Sequence, residues 1–245
     1  MNVAIIGFGR LGKQIDQLLM NTEINVPLKI SSKNIEDLNA ANLKDIDVAL
    51  ELSGPNAAPK NLYILAENKI NTVCGSTGWL DYYSEVVDKF KTAETGFLYA
   101  SNFSLGMNIA FEINRYAAQL FDPFDFTPRI TETHHIHKKD KPSGTAISLA
   151  EDIIDNQEDL SKWQLHKDQI KDQTQNKSLN ISCERIGEVV GKHEVNYESK
   201  YENFSFKHEA IDRKAFALGA IAACKWLNSK NGIFTMRDVL EIKNK

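Results

Sequence analysis

Apolar and polar positions follow two different rhythms along this chain. Through the first hundred residues, short apolar runs alternate with stretches of helical periodicity. Residues 2–6 are an almost unbroken apolar run, as expected of a strand buried on both faces, and residues 13–20 continue with a helical pattern. Further strands are predicted at 27–30, 47–52, 72–74 and 96–100, with helices at 61–68 and around 83–91. This alternation makes a parallel sheet with helices on both faces. A long helix over 105–121 leaves that domain, and the rhythm then changes. Residues 129–136 read as a strand, 146–154 as an amphipathic helix, and 158–176 as a polar surface loop or frayed helix. Period-two alternation at 178–184, 189–197 and 203–209 predicts a mixed or antiparallel sheet. A small-residue helix over 215–227 is suited to packing closely on a sheet and returns the chain to the first domain. The pattern as a whole predicts an α/β protein with a Rossmann-type parallel-sheet domain and an α+β mixed-sheet domain. The expected boundaries are 1–104 with 214–245 for the first, and 105–213 for the second.

The first strand runs into Gly7-Phe8-Gly9-Arg10-Leu11-Gly12, a complete G-x-G-x-x-G placed between strand and helix. Gly7 suits the tight turn, Gly9 the close approach of a pyrophosphate, and Gly12 the packing of helix on strand. A dinucleotide site is favoured over a plain glycine turn. Such sites commonly carry a carboxylate at the tip of the second strand to hold the adenosine ribose. Here that strand ends in Ser31-Ser32-Lys33, whose hydroxyls and ammonium suit an extra phosphate. NADPH or NADH is the expected cofactor, with a lean toward NADPH through Ser32 and Lys33; the alternative is an ordinary polar turn. Loops after later strands, at 53–55, 75–78 and 101–104, should face the same ligand, because open α/β sheets bind at the carboxyl ends of their strands.

Three of the six histidines lie within four positions, in Glu132-Thr133-His134-His135-Ile136-His137-Lys138. Groups that titrate near neutral pH thus stand beside a lysine. Pro142-Ser143-Gly144-Thr145 follows, a helix-start signal, and a helix N-terminus offers unpaired N–H groups to an anion. Acid/base groups, a cation and an anion cradle together suggest a site for a carboxylate or phosphate substrate. Two other readings compete. On a strand, His135 and His137 would share a face as metal ligands, but Lys138 and Lys139 repel a cation and only Asp140 is nearby, so no metal is expected. A solvated basic strand end is the blander reading, and the adjoining helix start weighs against it.

Composition narrows the classes further. Hydrophobic content of 42% and charged content of 25% are ordinary for a globular protein, and the net charge of −4 argues against general nucleic-acid binding. No apolar run approaches the ~20 residues of a membrane span, and no signal peptide is visible, so a cytoplasmic location is expected. Cys74, Cys183 and Cys224 are widely spaced without C-x-x-C pairing and read as reduced thiols.

The run from His134 to Lys138, with Asp140-Lys141-Pro142-Ser143-Gly144-Thr145-Ala146, closely resembles the signature of the dihydrodipicolinate reductase family. The resemblance extends over nearly the whole chain, through Gly7–Gly12, Gly75–Gly78, Ala100–Ser104, Arg213–Ala220 and the stretch 232–240. It implies NAD(P)H-dependent reduction of 4-hydroxy-tetrahydrodipicolinate in the diaminopimelate route to lysine. It also implies that His134 is the acid/base and Lys138 the catalytic lysine. His135, Gly144 and Thr145 match substrate-binding positions, and Ser143 joins them in the cradle. Gly75, Ser76 and Thr77, with Ala100, Ser101, Asn102 and Phe103, match cofactor-contacting loops. The family's assembly implies a homotetramer formed through the second domain. The chain departs from the family in being short around the second strand, in lacking the acidic residue often found there, and in carrying Lys141 and Thr133 where alanine is common. Competing readings are another two-domain NAD(P)-dependent dehydrogenase of amino-acid metabolism, or a dinucleotide-binding protein without catalysis. An aspartate-semialdehyde dehydrogenase would need a nucleophilic cysteine, and none of the three has that context.

Overall fold

The computed structural model describes residues 1–166 and 177–242, which fall into two compact units. The first comprises Met1–Leu105 and the chain from Lys214 onward. Its elements run β1 (Asn2–Ile6), α1 (Arg10–Leu19), β2 (Asn25–Ile30), α2 (Ala40–Leu43), β3 (Val48–Glu51), α3 (Ala58–Glu67), β4 (Asn71–Cys74), α4 (Tyr83–Ala93) and β5 (Gly96–Tyr99). The second unit, Gly106–Arg213, holds α5 (Leu105–Phe121, whose first residue belongs to the first unit), β6 (Thr127–His134), α6 (Gly144–Ile154), β7 (Lys162–Leu165), β8 (Ser178–Arg185), β9 (Gly191–Glu198) and β10 (Asn203–Ala210). The chain then re-enters the first unit as α7 (Lys214–Leu227), β11 (Gly232–Phe234) and α8 (Met236–Val239).

The first unit is built on a six-stranded, all-parallel sheet in the order β11-β5-β4-β3-β1-β2. Alternate residues along its strands serve opposite faces. Ala4, Ile6, Ala49, Cys74 and Phe97 enter one apolar cluster, and Val3, Ile5, Leu50, Val73 and Leu98 the other. The second cluster is covered by Ile15 and Leu19 of α1 and by Ala217, Ala220, Ala223 and Leu227 of α7. The α7 helix can lie so close because Gly219 has no side chain: a Cβ there would fall 1.7 Å from the Phe103 carbonyl oxygen. At the sheet's edge, β2 starts two residues before the expected 27. Proline 27 cannot donate to a ladder, and the pairing with β1 slips by one residue around it.

The second unit carries a five-stranded mixed sheet, β10-β9-β6-β8-β7, with β6–β8 and β7–β8 parallel and β6–β9 and β9–β10 antiparallel. Its core joins Met107, Ala110, Phe111 and Ala118 of α5 and Leu149, Ala150 and Ile153 of α6 to Ile130, Ile181, Val195 and Tyr197 of the strands. Two expectations need correction here. The polar stretch 158–176 is not all loop: Lys162–Leu165 forms β7, whose backbone pairs with β8 although Trp163 and Leu165 are its only apolar side chains. Residues 167–176 lie outside the described residues. The strand expected at 129–136 runs instead from Thr127 to His134, and His135–Lys138 turn, with the Lys138 N–H bonded to the His135 carbonyl at 3.1 Å. His135 and His137 therefore do not share a strand face.

Candidate active site

The glycine loop of the first unit has the geometry a pyrophosphate needs. Gly7 sits at φ 95°, and a Cβ on it would press within 2.5 Å of the Leu52–Ser53 backbone. A Cβ on Gly12 would lie 2.8 Å from the Gly7 carbonyl oxygen and 3.0 Å from Ile5, so α1 is drawn tightly onto β1. Gly9 differs: among the described residues, its own chain neighbours and helix backbone aside, nothing lies closer than 4.0 Å to the position of its Cβ. Packing does not require a glycine there, but a ligand approaching the backbone does. The α1 helix also begins at Gly9 without a side-chain cap, leaving its first-turn N–H groups to an anion. A dinucleotide therefore fits this loop.

The neighbouring loops are tied to one another. The Ser76 hydroxyl accepts the Gly54 N–H at 2.8 Å, and the Ser76 carbonyl accepts from the Trp79 indole at 2.7 Å. Phe103 is buried, and a Cβ on Gly75 would collide with its ring at 2.5 Å. Its side chain is thus structural, whereas Thr77 and Ser101 are exposed. At the tip of β2, Ser31 is engaged through both N–H and hydroxyl by Asn34 Oδ1 at 2.9 Å, while Ser32 and Lys33 remain exposed.

In the second unit the strands bring polar groups into an otherwise apolar interior. Glu132 and His134 lie on the inward face of β6, and His193 on the inward face of β9. Glu132 is fully buried. Its Oε1 accepts from Arg185 Nη2 at 3.0 Å and its Oε2 from the Ser143 N–H at 3.1 Å. The same Oε2 lies 3.2 Å from His134 Nδ1, as an ion-pair contact rather than an aligned hydrogen bond, and 3.9 Å from His193 Nε2. Ser143 caps α6: its hydroxyl accepts the Ala146 N–H at 3.1 Å and meets His193 Nε2 at 3.1 Å. Arg185 also bonds the Lys138 and Asp140 carbonyls, at 3.3 and 2.6 Å, fastening the loop between β6 and α6. On that loop Lys138 Nζ is held by Asp140 at 2.7 Å, and His135 Nε2 lies 3.4 Å from Arg213 Nη2.

Charge is arranged accordingly. Burial opposes ionisation of Glu132, yet the contact with His134 and hydrogen bonds from Ser143, Cys183 and Arg185 outweigh it and hold the carboxyl well below the usual range. Burial, helped by the charge of His134, pushes His193 down to about 3, so this imidazole is neutral at neutral pH. His135 is also lowered, first by desolvation and then by Arg213. Lys138 on this loop and Arg213 after β10 thus bring two basic side chains to it, with the His135 imidazole against Arg213. Glu132, His134 and His193 place one ligand atom each within 4.8 Å of one another, a spacing a metal ion could span. However, Glu132 already receives a guanidinium and a backbone N–H, which leaves little charge for a cation.

Comparison with known proteins decides between the competing readings. Residues 1–103 match the N-terminal and residues 106–240 the C-terminal family model of dihydrodipicolinate reductase. A 4-hydroxy-tetrahydrodipicolinate reductase of Christiangramia forsetii is 40% identical over 98% of both chains, and one of Pelagibacter ubique is 33% identical over 99% of both. The chain belongs to the dihydrodipicolinate reductase family. A dipicolinate-bound dihydrodipicolinate reductase from Paenisporosarcina shares the fold, with a TM-score of 0.77 at 21% identity over 96% of this chain and 97% of that one. Like its family, this reductase is an NAD(P)H-dependent oxidoreductase that reduces 4-hydroxy-tetrahydrodipicolinate in the diaminopimelate route to lysine.

Of the residues singled out from sequence in this reductase, His134 and Ser143 meet at one carboxylate oxygen, and Lys138 is joined to them through Arg185. Gly144 is exposed, with open space where a Cβ would stand, and Thr145 occupies the first turn of α6. Sequence reasoning passed over Glu132, Arg185, His193 and Arg213 as site residues. The available signal was Glu132 and His193 each falling on the apolar phase of a period-two strand, where a charged residue requires a partner.

Proposed function

We propose that the second unit binds the dicarboxylate substrate and supplies the proton, and that the first unit holds the nicotinamide cofactor. One observation carries this reading: a single buried oxygen, Glu132 Oε2, joins the candidate acid His134 to Ser143, the first residue of the anion cradle. The N–H groups at the start of α6, with Lys138 and Arg213, suit two carboxylates, and His135 adds a hydrogen-bond partner. Gly7–Gly12 would hold the pyrophosphate, with Gly75–Thr77 and Ala100–Phe103 lining the site largely through backbone. Loss of the 4-hydroxyl of the substrate as water would leave a conjugated carbon–carbon bond, and when bound the cofactor supplies a hydride to that bond. The electron-rich enamine that results must take up a proton at carbon, and in this reading His134 donates it. Lys138, pinned by Asp140, balances the developing charge.

Three finer readings accompany this one. Exposed Ser32 and Lys33 at the tip of β2 support use of NADPH. Assembly into a homotetramer through the second unit is supported by the eight-residue edge strand β10 and by an exposed apolar stripe on α5 (Ile109, Ile113, Tyr116 and Leu120). A cytoplasmic location agrees with three free cysteines; among the described residues no helix is long and apolar enough to cross a membrane.

Nicotinamide oxidation on enzymatically generated substrate tests the residue roles. His134→Gln should keep cofactor binding and lower turnover by about 10²–10⁴-fold. Lys138→Ala should lower turnover and raise the substrate KM. His166→Gln, at the end of β7, should change little. Near-native turnover in His134→Gln, with loss in His135→Gln, would exchange their roles.

A further inference from the structure

Glu132 is not accounted for by the acid, the lysine or the cradle, and it is fully buried. A buried ion pair with Arg185 could be purely structural, because such pairs often contribute little to stability. The geometry says more. Arg185 occupies Oε1 alone, and Oε2 is turned to His134 Nδ1 and to the Ser143 N–H. The other side of the imidazole faces Gly191, where a Cβ would stand 3.2 Å from Nε2. The missing side chain there keeps that nitrogen clear.

We propose that Glu132 is a positioning residue for the reaction: it fixes His134 as the Nδ1–H tautomer, so that the proton delivered to substrate is the one on Nε2. The reasoning is electrostatic. Opposite an ionised carboxylate oxygen at 3.2 Å, a bare Nδ1 would set two lone pairs against each other, whereas Nδ1–H is attracted. The protonated ring carries hydrogen on both nitrogens. Loss of the Nε2 proton to the substrate carbon returns it to the neutral Nδ1–H form without rotation. Because Oε2 also holds the Ser143 N–H, the same carboxylate keeps the acid in register with the cradle that orients the substrate carboxylate. The other ionisable groups facing this pair, among the described residues, are Cys183 and Arg185 from β8, His193 from β9 and His135, Lys138 and the Lys138-bound Asp140 from the loop, with His208 of β10 behind His193. With His193 neutral and Asp140 paired to Lys138, Glu132 is the carboxylate in contact with Nδ1.

This inference rests on the assignment of His134 as the acid, and two measurements separate the two claims. Nitrogen-15 NMR of histidine-labelled wild-type protein, with the His134 signals assigned by their loss in His134→Gln, reads the tautomer without altering Glu132. The Nδ1–H form is expected above the ring's titration, and a dominant Nε2–H form would overturn the proposal. Turnover of Glu132→Gln is the second measurement. The expected result is a 10- to 100-fold fall in kcat with an unchanged KM for NADPH and an alkaline limb of the kcat profile moved to lower pH. Glu132→Asp, which keeps the charge, should recover part of the loss. A folded Glu132→Gln with native kcat and pH profile refutes the role; if it does not fold, the wild-type tautomer decides. Failure of the acid assignment would show differently, as full activity in His134→Gln whatever the tautomer.

Discussion

A carboxylate shut away from water persists only where donors replace the solvent it has lost, and Glu132 has four groups doing so. The arrangement makes the second unit sensitive to acid. His193 titrates at about 3 in the fold against about 6.5 in an unfolded chain, so the unfolded state binds the extra proton in between. Its contribution to stability is complete above about pH 6.5 and is lost as pH falls toward 3. His208, lowered by burial, acts in the same direction, and Glu132 adds a loss below the ordinary carboxylate range. Thermal melts should therefore fall steadily below about pH 6.5, by the equivalent of a few kcal/mol across the window. His193→Gln should flatten the curve between about pH 5 and 6.5, where carboxylates scarcely titrate; an unaltered slope would exclude His193 as the source. At this scale the sequence was only partly legible. The histidine–lysine run and the Pro-Ser-Gly-Thr start stand side by side in the chain. Arg185 and His193, by contrast, reach Glu132 only through strand pairing across more than 50 positions, which no local pattern records.

Among the elements, α6 ties packing to binding most directly. Ser143 accepts the Ala146 N–H and shares its hydroxyl with His193, so one side chain starts the helix and orders the cradle. Ser143→Ala should cost about 1 kcal/mol of stability through the lost cap. It should also raise the substrate KM while leaving that for NADPH unchanged. A melt together with both KM values checks this, and equal changes in the two would point to general loosening instead. Elements with a strong period were readable: β1, α5 and the strands β8 to β10 lie where their apolar spacing puts them. The ones missed have little pattern to read. The α2 and α8 helices are four residues long, β11 is three, and β7 owes its place to backbone pairing with β8. Boundaries drifted where a backbone device intervened, as at Pro27 in β2 and at the turn that releases His135 from β6.

At the scale of the molecule, cofactor choice can be tested at the exposed tip of β2. Lys33→Glu should lower kcat/KM with NADPH and spare NADH, and equal effects on both would place Lys33 away from the extra phosphate. The two-unit α/β plan follows from the change of rhythm near residue 105, but the return of the chain has a consequence for how the protein is made. The parallel sheet acquires its last strand, β11, and much of the cover on one face only from residues 214–234, while the mixed-sheet unit is encoded in one uninterrupted stretch. On the ribosome, the inserted unit can close first. The first hundred residues must meanwhile wait with Val3, Ile5, Leu50 and Leu98 short of their partners on α7. Nascent chains paused before residue 214 are thus the ones that would expose this apolar face to chaperones.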